Sequence, residues 1–347
     1  MTRTTTAPHR GEERRRARLA PVWVVGIAIA AVALAAVLSL TIGVRDVPLA
    51  SVWTALTVGD TQNIEQAAVL ARIPTTVTGL VVGAALGVGG ALMQGMARNP
   101  LADPGLLGVN AGASLFVVLG MSLLGLEAPL AIVWCALAGA AVAVLVGYGA
   151  ASASPSGATP VTLALAGAAV AAIAASVISA ILITDQSTLE SFRFWQIGSL
   201  TAGNLGTIAQ LSGFLGVGAV VALLCAGGLN GLALGDDVAR GLGVRVGLIR
   251  TLAALAVVLL CGTATAIAGP IAFVGLAVPH AVRLIAGSDY RVVVPLSALT
   301  GAAFLLVCDV VGRLIARPGL IEVGIVTAVI GAPIFILLLQ RRKAVGL

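Results

Sequence analysis

Few residues in this chain could do chemistry, and their spacing narrows what that chemistry would be. Of 347 residues, 20 are Lys or Arg and 14 are Asp or Glu. Asp309 is the one acidic residue well inside an apolar run, and Arg313 follows it by four positions, on the same face of a helix. That spacing suits a structural ion pair. A proton- or ion-coupled carrier needs several ionisable groups at membrane depth, and no relay of them is present. An ATPase of the phosphate-loop type needs G-x-x-x-x-G-K-[ST]. The sole lysine is Lys343, close to the C-terminus, so any nucleotide would be bound by a separate subunit. Cys135, Cys225, Cys261 and Cys308 each sit inside an apolar run without C-x-x-C spacing, and they read as small buried hydrophobes. His280 has no second His, Cys or carboxylate at ligand spacing. With no nucleophile–base pair and no metal cluster, the residues give an enzyme nothing to stand on.

One polar segment is organised. It reads Gly235, Asp236, Asp237, Val238, Ala239, Arg240, Gly241, Leu242, Gly243, Val244. Paired aspartates complement a helix N-terminus, and Val238 and Leu242 fall at i and i+4. The spacing predicts a short amphipathic helix with no core of its own. Two readings stand: a helix lying on lipid, or a docking element for a partner.

These residues must be carried by membrane helices. The composition is 59% hydrophobic and 10% charged, and uncharged runs extend over 73–97, 104–126, 128–184, 194–235 and 251–282. A bilayer crossing takes about 20 apolar residues, and in lipid each crossing must satisfy its own backbone. Helices are expected over 21–44, 73–97, 105–126, 128–151, 159–183, 206–231, 249–268, 272–286, 294–315 and 322–340. The break between 151 and 159 is marked by Pro155, Gly157 and Pro160. The break at Gly269-Pro270 is weaker. The fold class is therefore an all-α polytopic membrane protein of about ten transmembrane helices. It divides into a basic cytoplasmic tail over 1–20 and a transmembrane domain over 21–343, with a cytoplasmic loop at 235–246. The run at 21–44 is long enough to span and reads as the first membrane helix, not a cleaved leader.

An even helix count places both termini on one side. With that side cytoplasmic, the tail arginines, Arg98, Arg240, Arg245, Arg250, Arg283, Arg291, Arg341, Arg342 and Lys343 lie inside, against Arg45, Arg72, Arg193, Arg313 and Arg317 outside. The bias follows the positive-inside rule. It also explains the net charge of +6 without nucleic acid, and the tail can touch anionic lipid. Gly79, Gly83 and Gly87 recur every four residues, a pattern for close helix approach. It fits a bundle around a pathway or a bundle without one.

Long motifs in register then identify a family. Arg72-Ile73-Pro74, Gly83–Leu86, Gly90–Gln94, Arg98–Gly108, the Asp236–Val244 loop, Gly269–Leu276 with Pro279-His280, and Gly324–Ala328 with Gly331–Pro333 resemble the permeases of bacterial iron-siderophore, haem and cobalamin ABC importers. Within that family, Leu107–Ser114, Phe192–Gln196 and Cys261–Ile267 are most similar to the ferric-enterobactin permeases. The resemblance implies the cobalamin-importer permease fold (type II importer) with ten helices per subunit. It also implies a second permease subunit, a paralogue in preference to an identical chain. Two ATPase subunits would carry ATP and Mg, and an extracytoplasmic binding protein would deliver a siderophore. No cofactor is implied on this chain, and the location implied is the bacterial cytoplasmic membrane.

Residue roles follow from the same resemblance. Asp236, Asp237, Val238, Ala239, Arg240, Gly241, Leu242, Gly243 and Val244 match the loop that docks in a groove of the ATPase. Arg72 and Arg313 match arginines that receive acidic residues of the binding protein, although Thr75 stands where some relatives carry another arginine. Arg313 also reads as a structural partner of Asp309, and the two roles could coexist. Asn99 and Leu101 match residues that narrow the cytoplasmic end of the pathway, and Thr159 lies in the opposing segment. Trp195 reads as a contact for a bulky substrate or as an interfacial anchor. The implied function is import of an intact ferric chelate by alternating access, with cobalamin or haem import as the alternative. A secondary siderophore carrier, the competing class, would need the ionisable helix residues that are scarce here.

Overall fold

The structure, a computed structural model, describes residues 21–343 apart from Val44 and Ser156. The expected tail over 1–20 lies outside the described residues. Among these, every regular element is helical: α1 (Pro21–Thr41), α2 (Leu49–Thr57), α3 (Ile64–Met96), α4 (Val109–Leu124), α5 (Pro129–Ser152), α6 (Pro160–Thr184), α7 (Gln186–Ile197), α8 (Leu205–Ala233), α9 (Asp236–Gly241), α10 (Val246–Val257), α11 (Thr263–Ala268), α12 (Val274–Ala286), α13 (Tyr290–Ile315) and α14 (Val323–Lys343). A 3₁₀ turn, Pro104–Leu107, precedes α4, and a π-helical turn, Val258–Gly262, joins α10 to α11.

Seven of these segments are long and apolar enough to cross a bilayer, counting α10 to α11 as one, and α4, α12 and α14 supply shorter apolar helices. Each of the ten expected spans therefore has its helix. The break at Gly269-Pro270 is real: α11 stops at Ala268 and α12 starts at Val274. Non-helical backbone at membrane depth needs partners within the protein. Here Ser199 N–H donates to Ala268 C=O at 2.7 Å. In the first turn of α12, where Pro279 lacks the N–H that Gly275 C=O would accept, Gln94 Nε2 donates to the carbonyls of Gly275 and Leu276 at 3.3 and 3.0 Å.

Three differences from expectation have physical reasons. Helix α3 begins at Ile64, nine residues before the uncharged run, because Asn63 caps it by accepting from Glu65 N–H at 3.0 Å. Charges end a membrane span but not a helix. Helix α2 is too short to span and packs through Val52 and Ala55 on Val69 of α3. Helix α7, capped by Asp185, carries Glu190 and Arg193 on an exposed surface.

Helix α3 runs through the centre, with 78% of its apolar window buried, whereas α6 has only 11%. The glycine stripe serves this packing. A methyl group on Gly83 would strike Gly301 C=O and Ala302 Cα of α13 at 2.5 and 2.8 Å, and one on Gly87 would overlap Ser297 C=O. The two backbones meet almost directly, which only small residues permit. Those glycines belong to a helix–helix seam, so their spacing says nothing about a pathway.

Candidate functional site

The polar residues gather at two opposite ends of the bundle. At the first end, the chain leaves α8 through Gly235, whose φ of +105° suits glycine, and turns into α9. The expected amphipathic helix is present. Ala239 is fully buried beneath it, while Val238 and Leu242 are 51% and 64% exposed. Asp237 pairs with Arg240 at 2.8 Å. Asp236 faces inward and accepts from Arg250 Nη2 at 3.0 Å, with Arg98 Nη1 at 3.9 Å on its other side. Arg250, only 5% exposed, also donates to Ala158 C=O at 3.2 Å.

This chain of contacts joins the segments that sequence reading kept apart. Arg98 opens the segment holding Asn99 and Leu101. Asn99 accepts from Leu101 N–H at 2.9 Å, and Leu101 is 46% exposed. Ala158 adjoins Thr159, which caps α6: its hydroxyl accepts from Thr162 N–H at 3.3 Å, with Pro160 at the first helical position. Asp236 therefore ties the start of α9 to both segments expected to narrow the pathway. Sequence reading missed Arg250, which had only its place in the positive-inside tally. A basic residue near the start of a membrane helix, following an acidic loop, was the available signal.

At the opposite end, the arginines are committed to backbone carbonyls. Arg72 Nη1 donates to Leu40 and Thr41 C=O at 2.8 and 3.1 Å, and Nη2 to Arg45 C=O at 2.6 Å. Gly43 admits this guanidinium, which any Cβ there would overlap. Arg313, 7% exposed, pairs with Asp309 and donates to Ser39 C=O at 2.9 Å. These carbonyls belong to the last turn of α1 and the loop beyond it, where helical partners run out. The ion pair expected for Arg313 is present, and its guanidinium is enclosed. Arg72 remains partly exposed, and Thr75 is buried. Arg317 forms an exposed fork with Asp46 at 3.1 and 2.5 Å.

Trp195 stacks on Phe192 with centroids 5.9 Å apart. With exposed Phe194 and the 266–269 backbone it lines a cavity of about 140 Å³. His280 is buried, its ring edge-on to Phe335. Among the described residues, no group of three or more His, Cys, Asp or Glu could hold a metal.

A bundle of seven long apolar helices and three shorter ones, with a short amphipathic helix at one end, is the architecture of a membrane transporter component, and the comparisons define it as a permease subunit of an ABC importer. The comparisons make this specific. The model of the FecCD transport family matches residues 29–341, and the chain belongs to that family. It is 44% identical over 314 residues to the ferric enterobactin transport system permease protein FepD of Escherichia coli, covering 90% of this chain and 93% of that one. It is 37% identical to the cobalamin import system permease protein BtuC of Halobacterium salinarum, covering 88% and 85%. In structure it matches an inward-facing putative metal-chelate type ABC transporter with a TM-score of 0.80 at 25% identity, covering 92% of this chain and 99% of that one. The chain is thus a permease subunit for iron-siderophore or related substrates, and it works with ATPase and substrate-binding partners.

Proposed function

We propose that this subunit moves an intact ferric siderophore of the catecholate, enterobactin-like kind into the cytoplasm by alternating access. The bridge from Asp236 to Arg98 and through Arg250 to Ala158 carries the mechanistic part of this reading. In it, Asp236 to Val244 dock on the ATPase through Val238 and Leu242. Movement of that helix pulls on Arg98 and Arg250 together, so the segments bearing Asn99, Leu101 and Thr159 shift as one. Trp195 and its aromatic neighbours offer faces to a bulky chelate at the outer mouth. Arg72 receives an acidic residue of the binding protein, and Arg313 supports it from beneath by holding the same end of α1. The end bearing the docking helix is cytoplasmic, as its share of arginines suggests; α1 begins and α14 ends there. A paralogous permease forms the other half, ATP and Mg stay on the ATPase, and this chain holds no cofactor.

The substrate class rests on the 44% identity with FepD, and the relatives named for cobalamin and haem import keep those substrates as the alternative. The test is uptake in vesicles holding both permeases, the ATPase and the binding protein, with radiolabelled ferric enterobactin, haem and cobalamin in parallel. Ferric enterobactin should accumulate with ATP and fail without the ATPase. Accumulation without the ATPase would mean a secondary carrier, and preference for haem or cobalamin would reassign the cargo. In the same vesicles, Asp236→Asn should lower uptake per ATP hydrolysed by about ten-fold, since a hydrogen bond to a charged partner contributes roughly 1.5–3 kcal/mol. An unchanged ratio would remove the bridge from the coupling route.

A further inference from the structure

Beside α9 lies a cavity of about 500 Å³, one wall of which carries the Asp236–Arg250 bridge. Its walls come from the end of α5, the turn before α6, and the α9–α10 connection. Arg240, Arg245 and Arg250 line it; Arg240 is paired with Asp237 and Arg250 with Asp236, which leaves Arg245 as the lining guanidinium without an ion pair among the described residues. Two helix starts also meet there. Thr159 caps α6, and α10 begins at Val246 and Gly247 with no side-chain cap. The positive ends of both helices therefore add to the guanidinium charge. Arg250 spends its two terminal nitrogens on Ala158 C=O and Asp236, whereas the exposed Arg245 has no side-chain partner among the described residues and is free to meet an anion in the cavity.

The surroundings favour a lipid as the source of that anion. Tyr148 lines the cavity and shares a 2.8 Å hydrogen bond with Thr251 of α10. Leu255 lies one turn beyond Thr251 on the same helix face, and Leu145 one turn from Tyr148 towards the membrane. These leucines are 45% and 73% exposed. A polar, positively charged chamber thus continues into an apolar surface between two membrane helices. Basic pockets of this kind between helices take anionic lipid headgroups. We infer that the cavity binds the phosphate of an anionic phospholipid, with the acyl chains lying along Leu145 and Leu255. The inference needs only that this end of the bundle meets a headgroup layer, so it stands apart from the choice of cargo.

The experiment uses the full chain in mild detergent, equilibrated with equal phosphatidylglycerol and phosphatidylcholine and read by native mass spectrometry. Wild type should retain phosphatidylglycerol at least ten-fold over phosphatidylcholine. Arg245, whose side chain is exposed, is the position to change. Arg245→Gln should cut the preference at least five-fold, and Arg245→Lys should keep most of it. Equal retention of both lipids by wild type would overturn the proposal without any variant. An unchanged preference in Arg245→Gln would do the same. A second arm measures thermal stability in phosphatidylcholine nanodiscs. Stabilisation by inorganic phosphate equal to that from added phosphatidylglycerol would assign the cavity to free phosphate and overturn the lipid source. Loss of ATPase binding by Arg245→Gln, with its lipid preference intact, would make the cavity a protein contact instead.

Discussion

The two ends of the bundle use charge in opposite ways. At the Arg72 end, the guanidinium groups face inward onto carbonyls of α1 and its following loop, and the ion pair of Asp309 with Arg313 is enclosed. At the α9 end, Asp236 and Arg250 are also drawn inward, but Val238 and Leu242 are left exposed. In the first case the charges hold the fold. In the second they orient an exposed apolar pair, the surface proposed to meet the ATPase. Identical residue types in the sequence therefore carry different duties, decided by what lies within 3 Å of them.

The largest effect should come from breaking the enclosed pair. Arg313→Ala leaves Asp309 as a buried charge and two carbonyls without a donor, which typically costs about 3–5 kcal/mol. The variant should lose its monodisperse size-exclusion peak, or unfold at markedly lower temperature. Asp309→Asn should cost less, because Arg313 keeps Ser39 and Ile42 as acceptors. Equal or reversed losses would mean that the carbonyl contacts contribute little. Leu242→Asp is the counterpart at the other end. Leu242 is 64% exposed, so the isolated chain should fold normally. Burial of an unpaired charge in an apolar groove costs several kcal/mol, hence at least a hundred-fold in ATPase association. Co-purification with the ATPase measures it, and normal assembly would take Leu242 out of the docking surface.

Much of this was legible in the sequence, for reasons that differ by element. The ten spans were legible because charge-free runs longer than a bilayer core have few alternatives. Helix α9 was legible because its aspartates and the pair of Val238 with the C-capping Leu242 have helical spacing. Helices α2 and α7 escaped because a search for crossings passes over short or charged segments. The bridge from Asp236 to Arg250 escaped because it spans a turn of unknown geometry, and the grip of Arg72 on α1 because backbone carbonyls leave no trace in side-chain patterns. The glycine stripe was read correctly as close packing, yet only the structure supplied its partner, α13.

A middle-sized effect tests whether the Arg72 end is only structural. Arg72→Glu should weaken the hold on Leu40, Thr41 and Arg45, and in vesicles it should also raise the concentration of binding protein needed for half-maximal uptake. Arg72→Gln still donates to carbonyls but carries no charge, so it separates the two. If Gln restores uptake fully, Arg72 serves the fold alone. If Gln fails and an acid-to-arginine change on the binding protein rescues Glu, the same end both holds α1 and receives a partner.

The smallest effect belongs to the exposed fork between Arg317 and Asp46, which clips the loop after α1 to the end of α13. The hydrogen bond from Arg317, aided by its charge, holds the Asp46 carboxyl below its ordinary value. The sign follows from that direction. A carboxyl with a depressed folded pKa adds stability above its unfolded value, near 3.9, and loses it as pH falls through the folded value. The pair is solvent-exposed, so salt should screen it. Thermal unfolding of Asp46→Asn should therefore trail wild type slightly at pH 7 and low salt. The gap should narrow in 1 M salt and close as pH falls through the depressed folded value of Asp46. A gap that persists in acid or salt would mean that Asp46 acts through the shape of its loop and not through its charge. The contrast between the two ends would then extend to every arginine at this end, with none of them relying on an open ion pair.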